Sequence, residues 1–184
     1  MKFLPTQLPG VLIVEPDVYR DQRGWFVETY HVQKYQEAGI PLPFVQDNCS
    51  SSVHGTLRGL HLQMTRPQGK LIRVIRGEIF DVAVDVRRGA PTFASWVGVN
   101  LSGQDFKQIY IPPGFAHGFC VLSDVAEVEY KCTDVYAPGG EVTIRWDDPR
   151  IAIQWPIERP LLSTKDAAGQ LLNDLGDQLP DYQP

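Results

Sequence analysis

The stretch Ala126-Glu127-Val128-Glu129-Tyr130-Lys131-Cys132 alternates side chains that avoid water with side chains that carry charge. A period of two marks a half-buried strand, because successive Cβ atoms point to opposite faces of a sheet. Ala126, Val128, Tyr130 and Cys132 share the inner face, and Glu127, Glu129 and Lys131 the outer one, so Tyr130 points inward. Outward from this segment, strands are predicted over 10–14, 24–30, 57–63, 71–75, 78–86, 95–101, 108–111, 119–122, 125–135 and 141–146. The 16 Gly and 15 Pro fall between these runs, where turns belong. Helix is expected only over 31–38, closed by Gly39, and briefly after Leu161. Many short strands with little helix predict an all-β sandwich or barrel, and the length of 184 residues suits a double-sheet jelly roll. One domain is expected over 1–184, with the polar tail beyond about residue 170 loosely held.

Composition narrows the possible partners. Hydrophobic residues make up 43% of the chain, enough for a core. Lys and Arg total 17 against 22 Asp and Glu, a formal net charge of −5, which argues against nucleic acid or a membrane surface as partner. No apolar run is long enough to span a bilayer. Met1-Lys2-Phe3-Leu4-Pro5 does not open a signal peptide, so a cytoplasmic location is expected. Cys49, Cys120 and Cys132 are odd in number and widely spaced, which predicts neither a disulfide framework nor a zinc ribbon.

Several polar residues sit where chemistry is possible. Lys70 shares a strand face with Ile72 and Val74; it either snorkels to water from a sheet edge or serves a ligand. His61 lies in Leu57-Arg58-Gly59-Leu60-His61-Leu62-Gln63 and is either a hydrogen-bonded core histidine or a general base. An imidazole's ordinary pKa, about 6.5, suits the second role. Strict alternation separates Arg58 from His61, so they share a site only if Gly59 bends or bulges the strand. Lys70 can stabilise negative charge and Tyr130 can donate a proton. Arg23, Arg58 and Lys165 can hold an anion such as a diphosphate. Asp166 can orient a histidine.

Ile111-Pro112-Pro113-Gly114-Phe115-Ala116-His117-Gly118-Phe119 resembles the second motif of cupins, small jelly-roll proteins. Metal-binding cupins carry His-x-His and a Glu in the first motif; here the comparable strand offers only His61-Leu62-Gln63, so no metal site is expected. Further strings appear in order: Asp21-Gln22-Arg23-Gly24-Trp25-Phe26, Gly55-Thr56-Leu57-Arg58-Gly59-Leu60-His61, Gln68-Gly69-Lys70-Leu71-Ile72-Arg73-Val74 and Gly77-Glu78-Ile79-Phe80-Asp81-Val82-Ala83-Val84-Asp85. Tyr130-Lys131 and Leu162-Ser163-Thr164-Lys165-Asp166 follow. Over about residues 1 to 170 the chain resembles the dTDP-4-dehydrorhamnose 3,5-epimerase family, cofactor-free cupin isomerases of dTDP-L-rhamnose biosynthesis.

The resemblance implies a cupin-type jelly roll, a dTDP-sugar substrate with a ketone at C4, no cofactor and a homodimer. It implies His61 as the base at C3 and C5, Asp166 as its partner, Lys70 at the enolate oxygen and Tyr130 as the acid on the opposite face. It assigns Arg23, Phe26, Glu28, Gln46, Asp47, Asn48, Arg58, Lys70, His117, Glu141 and Lys165 to nucleotide or sugar, and Tyr136 to stacking on thymine. The segment from Arg23 to Glu28 is expected to cross to the partner's site. The alternatives are an epimerase of one centre from a modified-sugar pathway, a metal-dependent cupin isomerase or dioxygenase, and a non-catalytic sugar-nucleotide-binding cupin.

Overall fold

The computed structural model describes residues 1–40 and 43–183. Its strands are β1 (Lys2–Pro5), β2 (Leu12–Glu15), β3 (Val18–Asp21), β4 (Gly24–Val27), β5 (Gln46–Val53), β6 (Leu57–Gln63) and β7 (Lys70–Arg76). There follow β8 (Glu78–Asp85), β9 (Trp96–Ser102), β10 (Gln108–Ile111), β11 (Phe115–Val121), β12 (Val125–Cys132) and β13 (Glu141–Thr143). The helices are α1 (Val32–Glu37), α2 (Thr164–Ala167) and α3 (Leu172–Leu175), each short.

Six strands form one sheet in the order β1-β2-β10-β7-β12-β5, and five form a second in the order β13-β6-β11-β8-β9. Pairing is antiparallel throughout. This is the expected double-sheet, all-β jelly roll. The separate β3–β4 hairpin stands outside both sheets.

Three apolar clusters hold the layers. Between the sheets, Ile72, Val74, Ala126 and Val128 meet Ile79, Ala83, Phe115 and Phe119. Each such side chain taken from water contributes about 1.5–3 kcal/mol. On the outer face of the five-stranded sheet, Leu60, Leu62, Val82 and Val84 pack against Ile144, Ile151 and the C-terminal leucines. On the outer face of the six-stranded sheet, Leu71, Tyr110 and Val14 meet Tyr35 of α1 and Ile40. The gap between the sheets is apolar toward β9 and β10 and polar toward β5 and β13.

The structure departs from the expected elements in several places, among them β1 and β3, which were not predicted. The C-terminal segment is firmly packed: Leu172, Leu175 and Leu179 are buried in the second cluster, and Arg88 pairs with Asp177 and Asp181. Its leucines make a narrow apolar stripe inside a polar composition. Strand β5 is new, because Gln46-Asp47-Asn48-Cys49-Ser50-Ser51-Ser52 reads as loop; eight consecutive register pairs with β12 make it an edge strand. Strand β11 begins at Phe115, four residues before the strand expected over 119–122, because Gly118 continues the ladder with β8.

Candidate active site

The polar half of the inter-sheet space receives side chains from both walls. Lys70 opens β7, on the face that Ile72 and Val74 share in the core. Tyr130 and Cys132 project from β12 in phase with Ala126 and Val128, as alternation required. Gln46 and Asn48 come from β5, where Asn48 is the register partner of Tyr130. The facing sheet supplies His61 and Gln63 from β6 and Glu141 from β13, whose partner is Gln63. With Gln68 and Tyr136 these groups line a cavity of about 210 Å³.

Gly59 decides which way β6 faces. Between β6 and β11 the register runs from His117↔His61 to Phe119↔Arg58, so three steps on β6 oppose two on β11. This bulge removes the half-period that would have separated Arg58 from His61. Gly59 has φ +124°, and a Cβ there would lie 2.6 Å from the Gly118 Cα and 2.7 Å from the His117 carbonyl oxygen, so glycine is required. Arg58 consequently reaches across to β5, donating from Nε to Ser52 Oγ at 3.0 Å. It also joins His61, Ser163, Lys165 and Asp166 around a second, more open cavity of about 450 Å³. His61 stands between the two cavities.

His61 Nε2 donates to Asp166 Oδ1 at 2.5 Å. Asp166 lies in α2, whose N-cap Ser163 accepts from the Asp166 amide at 3.0 Å and donates its hydroxyl to Asp166 Oδ2 at 2.8 Å. Both carboxylate oxygens are therefore engaged. Burial pushes the Asp166 carboxyl up, but the hydrogen bonds from His61 and Ser163, with the nearby positive charge, outweigh it and hold the carboxyl below its ordinary value. In the neutral imidazole, a proton held at Nε2 by Asp166 leaves the lone pair at Nδ1. Nδ1 is 3.6 Å from Glu141 Oε1, beyond hydrogen-bonding range. Glu141 is itself held by Lys165 Nζ at 2.5 Å and by the Tyr136 hydroxyl at 3.2 Å. Burial raises the Glu141 carboxyl, and these partners with His61 more than reverse it.

The opposite wall is tuned the other way. Burial pushes the Lys70 ammonium below its usual range, against the counter-effect of Cys132, Glu141 and Asp81. Burial also raises the Tyr130 phenol, which keeps its proton at neutral pH. The His61 imidazole thus faces, across the cavity, a phenol that keeps its proton and a half-buried lysine.

The other expected residues divide. Gln46 donates to Asn48 Oδ1 at 3.0 Å and accepts from the Tyr136 amide at 2.8 Å, which brings the Tyr136 segment to the cavity wall. His117 lies behind the cavity, buried and donating from Nε2 to Asp81 Oδ2 at 2.8 Å. Asp47 is a correction: one step out of phase with Gln46 and Asn48, it turns to the outer face and pairs with Lys131 at 2.8 Å. Arg23, Phe26 and Glu28 are not brought to the cavity within the chain. Arg23 pairs with Asp21 on the hairpin, Phe26 is 68% exposed there, and Glu28 pairs with Lys34. Cys132, Gln63 and Gln68 line the cavity without having been expected; alternation along β12 and β6 already places the first two inward. Among the described residues no group of three or more His, Cys, Asp or Glu is arranged to hold a metal ion, and no helix is long and apolar enough to cross a membrane.

Comparison with known proteins assigns the family. The family described as dTDP-4-dehydrorhamnose 3,5-epimerase matches residues 5–174. The chain belongs to that family. It is 53% identical over 168 residues to the dTDP-4-dehydrorhamnose 3,5-epimerase of Methanothermobacter thermautotrophicus, covering 90% of this chain and 91% of the other. The crystal structure of a Legionella pneumophila dTDP-6-deoxy-D-glucose-3,5-epimerase, in complex with dTDP-4-keto-L-rhamnose, is similar with a TM-score of 0.97. The identity is 52%, covering 100% of this chain and 99% of that one. A 4-keto-6-deoxy sugar epimerase from the novobiocin gene cluster of Streptomyces spheroides is 39% identical with a TM-score of 0.95, covering 99% of this chain and 94% of that one. The family member described here is thus an isomerase with the cupin-like jelly roll of its relatives.

Proposed function

We propose that this epimerase inverts C3 and C5 of dTDP-4-dehydro-6-deoxy-D-glucose, giving dTDP-4-dehydro-L-rhamnose, with His61 as base and Tyr130 as acid. The observation that carries this reading is that His61 and Tyr130 enter one cavity from opposite sheets. A sugar lying between them presents one face to each. Inversion needs that arrangement, because a proton removed and returned on the same face restores the original centre.

The C4 ketone acidifies the protons on C3 and C5. His61 Nδ1 takes the proton, the electron pair of the C–H bond forms a double bond to C4, and the carbonyl π pair moves to the C4 oxygen as an enolate. Lys70 stabilises that oxygen by charge. The enolate then collapses, the carbon takes the Tyr130 proton on the other face, and the two side chains exchange protons with solvent. Asp166 keeps the Nε2 proton in place and stabilises the imidazolium formed in the step. Each centre in turn passes through the same sequence.

Gln46, Asn48, Arg58, Glu141 and Lys165 hold the sugar and the diphosphate, His117 supports them from behind the cavity, and Tyr136 stacks on thymine. Arg23, Phe26 and Glu28 serve the cavity of a second copy in a homodimer. The support is the β3–β4 hairpin, which stands off its own sheets with Tyr19, Trp25 and Phe26 exposed. The reaction is placed in cytoplasmic dTDP-L-rhamnose synthesis. A single-centre epimerase is the second reading, favoured by the novobiocin-cluster relative at 39% identity.

Incubating the substrate with the protein in D₂O and reading C3 and C5 by NMR separates these outcomes. Deuterium at both carbons with conversion to the L-sugar is expected. Deuterium at one carbon selects the single-centre enzyme, and none at either leaves only a binding protein.

A further inference from the structure

The chain between β12 and β13, residues 133–140, carries Tyr136 to the cavity, and none of its residues is buried. Val135 is 41% exposed and Tyr136 49%, so apolar packing does not hold this loop in shape. Its ends are tied by backbone bonds. The Thr133 amide donates to the Gly69 carbonyl at 3.0 Å, and the Met64 amide to the Gly140 carbonyl at 2.7 Å. Its middle is tied by glutamine side chains of the cavity wall. Gln68 Nε2 donates to the Asp134 carbonyl at 2.7 Å, and Gln46 Oε1 accepts from the Tyr136 amide at 2.8 Å. Gln63 Nε2 reaches the Ala137 carbonyl only at 3.4 Å, a weaker contact. Gln46 opens β5 and Gln68 leads into β7, and those strands flank β12 in the sheet, so the loop leaving β12 is gripped from both sides.

We propose that Gln68 is a positioning residue for the nucleotide: by holding the Asp134 carbonyl it fixes the loop in the shape that presents the Tyr136 ring to a pyrimidine base. The inference deepens the reading of Tyr136 as the residue that stacks on thymine, and rests on it. A half-exposed ring on a loop without a core has to be ordered before it can stack, and the cost of ordering is subtracted from binding. A loop already ordered in the free protein avoids that cost. Gln68 is placed to do this because its own backbone is anchored. The Gly69 amide donates to Thr133 Oγ1 at 2.8 Å, and β7 begins at Lys70. The ring's own tie to the wall is the Tyr136 hydroxyl, which donates to Glu141 Oε2 at 3.2 Å. His61 and Tyr130 stand on the sheet strands β6 and β12, so loosening the loop acts on binding rather than on proton transfer.

Gln68→Met removes the donor at nearly constant side-chain volume. It is expected to raise KM and the Kd for dTDP about tenfold, with kcat within about twofold of wild type. Gln68→Glu has the same shape and offers the Asp134 carbonyl only acceptors; it is the second variant if Gln68→Met does not fold, with the same changes expected. The decisive readout is a double-mutant cycle with Tyr136→Ala, followed by calorimetric titration with dTDP. Tyr136→Ala alone is expected to weaken dTDP about thirtyfold. Adding the Gln68 substitution to it is expected to cost less than about twofold more, because the ring through which Gln68 acts is gone. Full additivity would place Gln68 against the ligand itself and overturn the proposal, as would a fall in kcat at unchanged KM. Wild-type dTDP affinity in Tyr136→Ala removes the stacking role of Tyr136 and this inference with it. A weakened Tyr136→Ala beside wild-type affinity in the Gln68 variants removes only the role of Gln68.

Discussion

Two histidine–carboxylate pairs lie side by side across β6 and β11, and they are built differently. The His61–Asp166 pair has its imidazole 26% exposed, both carboxylate oxygens bonded, and an aspartate delivered by a capped helical turn distant in sequence. In the His117–Asp81 pair the imidazole is 9% exposed, one carboxylate oxygen lacks a partner among the described residues, and the aspartate comes from the adjoining strand. A base has to exchange protons with substrate and solvent, so it needs an open nitrogen at a cavity and a partner whose own bonding is complete. The inner pair meets neither condition.

The largest expected effect sharpens that contrast. His61→Ala is expected to lower kcat about a thousandfold and to abolish deuterium uptake at C3 and C5. His117→Ala is expected to keep measurable uptake and to raise KM instead. Equal losses in the two variants, measured by steady-state kinetics and NMR exchange, would break the distinction. Asp166→Asn follows, with kcat down about a hundredfold and KM little changed, because an amide nitrogen facing Nε2 favours the tautomer that protonates Nδ1. Gly59→Ala attacks the bulge that sets the two pairs beside each other. Positive φ and backbone overlap are expected to cost about 2–4 kcal/mol, read as a lower midpoint in urea.

The smallest effect is on acid stability. The folded-state pKa of Asp166 lies below its ordinary 3.8, so its contribution is present above that value and lost as pH falls through the folded value. The stability gap between wild type and Asp166→Asn is therefore expected to narrow as pH drops below about 4, followed by thermal melts across pH.

Much of this site could be read along the chain. Tyr130 and Lys70 face inward by alternation alone, and the strand carrying Gly59 announced that Arg58 and His61 could meet only through a bulge. Asp166 meets His61 across 105 residues, a closure that no local pattern carries; the family resemblance supplied it. Strand β5 escaped because an edge strand lining a polar cavity needs no apolar face, and its serines and amides read as loop. The inner face of β8 hid Asp81 between Ile79 and Ala83, where a lone aspartate in a buried strand gives no sign of its partner. The leucines at 172, 175 and 179 were masked by the polar residues around them. Periodicity reports which face is buried; it does not report which distant segment covers it.

The central claim is that base and acid act from opposite sheets, and Tyr130→Phe in D₂O tests it most directly. With His61 intact and the acid removed, deuterium uptake at C3 of the substrate is expected without inversion, seen by NMR as exchanged starting material. Inversion at the wild-type rate would contradict the assignment of Tyr130, and loss of all exchange would contradict the separation of base from acid.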